Sequence, residues 1–98
     1  MLGSHESAQV HRAPRARRDL ILQEVGDEGL LYDREGGLVH ILNLTALCAW
    51  RLCDGSRSVE QIVRGVEESF RSTEGVDVRR DVEEIITRFA KRGLLERS

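Results

Sequence analysis

The chain has 98 residues, enough for one hydrophobic core and too few for two domains. Apolar residues make up 40% and charged residues 33%, and no apolar run approaches the length that crosses a bilayer, so a small soluble protein is expected and a membrane span is not. The formal charge of −2 is unevenly spread, with four arginines against one glutamate in residues 1–18 and 11 basic against 16 acidic residues afterwards, a balance that argues against a duplex-binding body.

Residues 1–18 lack apolar periodicity and hold Pro14 among arginines, so they read as a flexible basic arm, with order beginning near Asp19. The first residues lack the apolar stretch of a secretory signal, and a cytoplasmic address is expected. Leu20 to Val25 is apolar and partly β-branched and stops at the turn composition of residues 26–29, which predicts a first strand. Leu30 to Arg34 predicts a second, turned by Glu35-Gly36-Gly37 into a third from Leu38 to Leu42. Patterning then changes from period two to helical. Asn43 stands at an N-cap position, and the apolar residues Leu44, Leu47, Cys48 and Trp50 to Leu52 predict a helix ended by Asp54-Gly55. Ser58-Val59-Glu60-Gln61 has the form of a capping box and opens a second helix to about Arg71, with the stripe Val59, Ile62, Val63, Val66 and Phe70. After turn residues at 72–76, Asp77 caps a third helix from Val78 to about Arg92, with the stripe Val78, Val82, Ile85, Ile86 and Phe89. Gly93 closes it, Leu94 and Leu95 fold back onto the core, and 96–98 form a tail. The expected class is α+β: a three-stranded antiparallel meander followed by three helices, βββααα, with the character of a winged helix-turn-helix. Leu47, Trp50 and Phe70 are assigned to the core.

No catalytic constellation is present. There is no phosphate-cradling glycine loop, no nucleophile elbow, no zinc-protease motif and no Cys-x-x-Cys, and the acidic pairs Glu67-Glu68 and Glu83-Glu84 read as solvated helix faces. Cys48 and Cys53, five residues apart, lie about 140° apart around a helix, so they do not share a metal and read as buried free thiols. His5, His11 and His40 have no ligand spacing. An enzyme, a metal site and a cofactor are therefore not expected. His40, on the third strand, is the one titratable residue of interest.

The run Val39-His40-Ile41-Leu42-Asn43-Leu44-Thr45-Ala46, the later Trp50 with Asp54-Gly55, Ser58 to Ile62 and Lys91 to Leu95 together resemble the PqqD family of peptide chaperones over residues 19–95. Leu44 stands where that family commonly has proline, a change that alters little at the first turn of a helix. The resemblance implies a RiPP recognition element: a non-catalytic domain that binds the leader segment of a ribosomally made precursor peptide and presents it to a modifying enzyme, often a radical SAM protein, as in PQQ biosynthesis and other bacterial natural-product pathways. A meander leaves the third strand open along one edge, and an extended leader can add there as a fourth strand. By resemblance the groove lies between the third strand and the third helix, lined by Leu38, Val39, His40 and Ile41 and by Arg80, Glu83, Ile86, Thr87 and Arg88. Strand alternation puts Val39 and Ile41 on one face and Leu38, His40 and Leu42 on the other, so one of the two sets faces the core.

Two rival readings follow from the same elements. A winged-helix DNA-binding regulator shares the architecture, but its reading helix here would carry Asp81, Glu83 and Glu84 along its first half, facing phosphates. A structural subunit that docks on a maturation enzyme through the sheet edge, holding no peptide, is the other. The open edge also allows a homodimer.

Overall fold

Residues 13–70 and 77–96 are described by a computed structural model. The first twelve residues, the expected helix end at Arg71, the turn at 72–76 and the last two residues lie outside the described residues. Three strands, β1 (Ile21–Val25), β2 (Glu28–Asp33) and β3 (Leu38–Leu42), precede three helices, α1 (Leu44–Leu52), α2 (Val59–Ser69) and α3 (Val78–Lys91). This is the βββααα order expected from the sequence.

The sheet is an antiparallel meander with β2 in the middle. β2 begins at Glu28 and not at Leu30, because the first hairpin closes on the two residues Gly26 and Asp27, with Val25 opposite Glu28. Gly26 has a φ of +60°, as the first position of a tight hairpin loop requires. Gly29, expected in the turn, is therefore a strand residue. A Cβ there would lie 3.0 Å from Leu47 Cδ1 and 3.1 Å from Leu22 Cδ1, so only glycine lets α1 approach the sheet this closely. Register then fixes the faces. Leu22, Leu31 and His40 align in one row and Gly29 with Leu42 in another, on the face turned to the helices. Ile21, Tyr32 and Val39, and beside them Leu30 and Ile41, share the opposite face.

Helix ends are set by local chemistry. Ala46 N donates to Asn43 Oδ1 at 2.9 Å, Gln61 N to Ser58 Oγ at 3.1 Å with Ser58 N returning to Gln61 Oε1 at 2.8 Å, and Arg80 N to Asp77 Oδ1 at 3.1 Å. At the end of α3, Gly93 N donates to Ala90 O and Leu94 N to Phe89 O, the paired bonds of a Schellman motif, which turns Leu94 into the core. The core joins Leu31 and Leu42 of the sheet to Leu47 and Trp50 of α1, Ile62, Val63 and Val66 of α2, and Val82, Ile86 and Phe89 of α3. Trp50 meets Phe89 edge to face, centroids 5.2 Å apart. Phe70 packs on this core half-buried. Cys53 is buried, which pushes its thiol up to about 12, whereas Cys48 is only half-buried, so the expectation of two buried thiols holds for Cys53 alone.

The expectation that order begins near Asp19 is corrected. Pro14 is buried, and the backbone of residues 14–17 is bonded on both sides: Gly55 N to Pro14 O and Ala16 N to Cys53 O on one, Arg17 N to Leu94 O and Glu96 N to Arg15 O on the other. A single extended segment between two loops satisfies their polar groups without any apolar period of its own, so patterning does not reveal it. Arg17 adds a clamp, its Nη1 donating to Gly93 O at 2.9 Å and lying 3.5 Å from Asp33 Oδ2.

Candidate functional site

β3 is an edge strand. Among the described residues it pairs only with β2, and residues 14–17 and 94–96 are engaged with each other and with the loop after α1. Among the described residues its outer backbone groups have no strand partner, the arrangement to which an extended chain can add.

Beside that edge lies a cleft. α3 packs on α2 and α1 in preference to β3, and the gap it leaves is about 200 Å³. Its apolar wall is formed by Leu42 of β3, Ala46 of α1, and Ile85, Phe89 and Leu94 at and beyond α3. Polar groups border it: His40, Asn43 and Glu28 from the sheet side, Arg88 and Arg92 from the helix side. The Arg17 clamp brings the end of α3 to Asp33, which pairs with Leu38, whereas Asn43 shares a wall with Ile85 and Arg88. α3 therefore runs back along β3, its middle beside Asn43 and the segment after it directed toward Asp33. Farther along, Asp81 and Glu84 flank Asn43 and Thr45 in a shallower polar hollow.

The nine residues expected from the sequence to line the groove are placed in five different ways. His40 and Arg88 border the cleft from its two sides. Arg80, Glu83 and Thr87 lie on the exposed flank of α3 next to Arg88, where Thr87 Oγ1 donates to Glu83 O at 2.9 Å. Leu38 opens β3 on the helix-facing side of the sheet and is 58% exposed. Val39 and Ile41 point their side chains to the opposite face of the sheet, 52% and 68% exposed, so Ile41 reaches the cleft's rim through its place in the strand and not as a filler. Ile86 is wholly buried among the helices and is corrected to core: its position one residue from Ile85 turns it to the middle of the apolar stripe.

The sequence reading missed Leu42, Ala46, Ile85, Phe89 and Arg92. The signal was present in the spacing. Ile85, Phe89 and Arg92 stand on one flank of α3 at intervals of four and three, bordering the stripe centred on Val82 and Ile86. One feature of this wall is unusual. His40 Nε2 is buried and has no hydrogen-bond partner, the sole such side-chain atom among the described residues. An unpaired buried polar atom costs about 1–3 kcal/mol.

Comparison with known proteins follows the same lines. Residues 28–95 match the family model described as Coenzyme PQQ synthesis protein D (PqqD). Among solved structures, the chain is similar to one described as TbiB1 in complex with the TbiA(beta) leader peptide, at 22% identity and a TM-score of 0.64, over 84% of this chain and 94% of that one. At that identity the likeness speaks for the fold. No curated protein sequence matches significantly.

Proposed function

The chain belongs to the PqqD family, and on that premise we propose that it binds the leader segment of a ribosomally synthesised precursor peptide and presents it to a modifying enzyme, without chemistry of its own. The observation that carries this reading is the edge of β3, unpaired among the described residues, lying beside an apolar cleft. An extended leader adds to β3 through main-chain hydrogen bonds, which give affinity with little regard to sequence, and every second side chain enters the cleft against Leu42, Ile85 and Phe89, which gives selectivity. The described residues hold no cluster of metal-ligating side chains and no helix long and apolar enough to cross a membrane. The modifying enzyme, often a radical SAM protein in systems of this kind, receives the leader already held straight. The same edge can pair with a second copy of β3, in which case leader and partner copy compete.

Calorimetric titration with the synthetic leader of a precursor peptide, sought among short open reading frames next to the gene for this chain, tests the reading. Saturable one-to-one binding, lost with a scrambled leader of equal composition, is expected. Equal heats for the scrambled peptide, or none for either, would contradict it.

A further inference from the structure

Resting on the peptide-binding reading, we infer that the segment taken by this groove carries an acidic side chain two residues from an apolar one, the acid held by Arg88 and Arg92. The other helical arginines, Arg51, Arg64, Arg79 and Arg80, each lie within 4 Å of a carboxylate of this chain. Arg88 and Arg92 have none among the described residues, although Glu28 borders the same cleft. They stand four apart, one helical turn, and so project to the same side of α3. His40, across the cleft, leaves Nε2 buried without a partner. Two cations without a carboxylate partner, beside an apolar floor, leave one kind of ligand unmatched, an anionic acceptor next to an apolar side chain, and the unpartnered His40 Nε2 shows that a polar contact in this wall is still to be made.

Strand addition sets the spacing. Side chains at i and i+2 of an added strand face the same way, about 7 Å apart, so an acid that meets the arginines and an apolar side chain that enters the cleft beside it stand two residues apart.

A phage-displayed library of random 12-residue peptides, panned against the full chain and against the Arg88→Glu/Arg92→Glu variant, tests this. Selected peptides are synthesised and located by amide shifts of His40 and Phe89. Cleft binders of the native chain should carry Asp or Glu two residues from Leu, Ile, Phe or Met, and changing that acid to its amide should weaken binding about tenfold, the usual scale of a charge-assisted bond. The charge-reversed variant should select Lys or Arg at the same place. Should it fail to fold, Arg88→Gln/Arg92→Gln must instead abolish the preference for acid. Cleft binders with no charge preference overturn the inference and leave the peptide-binding reading standing. Peptides that bind only elsewhere, or no binders at all, overturn the reading and the inference with it.

Discussion

His40 and Ile41 are neighbours in the chain and opposites in use. Alternation sends His40 toward the helices and Ile41 to the far face of the sheet, where 68% of its surface meets solvent. Threonine keeps the strand preference at such a site while removing the apolar surface. Val39→Thr and Ile41→Thr should therefore leave leader affinity within about twofold, in line with the ±0.5 kcal/mol of most surface substitutions; a tenfold loss in calorimetry would place those side chains in the binding face after all. Gly29 makes the complementary point. Gly29→Ala forces a methyl group to within 3.0 Å of Leu47 and should cost about 1–3 kcal/mol in urea unfolding. No measurable cost would mean that α1 can move off the sheet. Neither residue's role was legible from sequence: alternation divides β3 into two sets without saying which faces inward, and a glycine beside a turn looks like part of the turn.

At the scale of elements, caps were the most legible feature because they are local. Asn43, Ser58 with Gln61, Asp77 and Gly93 each act within a few residues of their own position, and each is where the sequence puts it. Helix rotation was less so. The stripe on α3 is broad, and whether Ile85 or Ile86 borders the cleft depends on where α1 and α2 press, which no local pattern records. One contact between elements has a pH signature. Arg79, at the start of α3, donates to Glu60 of α2 through both terminal nitrogens, at 2.7 and 3.0 Å, and holds the Glu60 carboxyl down at about 2, with Arg64 adding to the effect. A carboxylate depressed in the folded state contributes fully above its unfolded pKa and less as pH falls toward its folded one. The difference in melting temperature between the native chain and Glu60→Gln should accordingly be flat above about pH 4.5 and shrink between there and about pH 2. A difference that grows on acidification would show that the pair does not link the two helices.

Taken whole, the molecule separates the part that holds it together from the part left open. Residues 14–17 tie the loop after α1 to the segment after α3, and neither segment pairs with β3, so among the described residues the seam that closes the body leaves the outer side of β3 unpaired. Ala16→Pro removes the N–H that meets Cys53 O at 2.7 Å and should cost about 1–3 kcal/mol of stability while leaving leader affinity unchanged under folding conditions. A selective loss of affinity would tie the strap to binding. The sequence hid this strap for the reason already given, that four residues of extended chain carry no period. The same separation bears on the DNA-binding rival: the exposed first half of α3 presents Asp81, Glu83 and Glu84, a poor match for phosphates, whereas the edge of β3 presents backbone.

The central claim is that a foreign segment completes the sheet along β3. Nuclear Overhauser contacts in the complex of the isotope-labelled chain with an unlabelled leader measure this directly. Strong backbone-to-backbone contacts between the leader and residues 38–42, in the alternating pattern of paired strands, are expected. A leader whose contacts fall on the outer face at Val39 and Ile41, or on the helices alone, with no backbone pairing to β3, would contradict it.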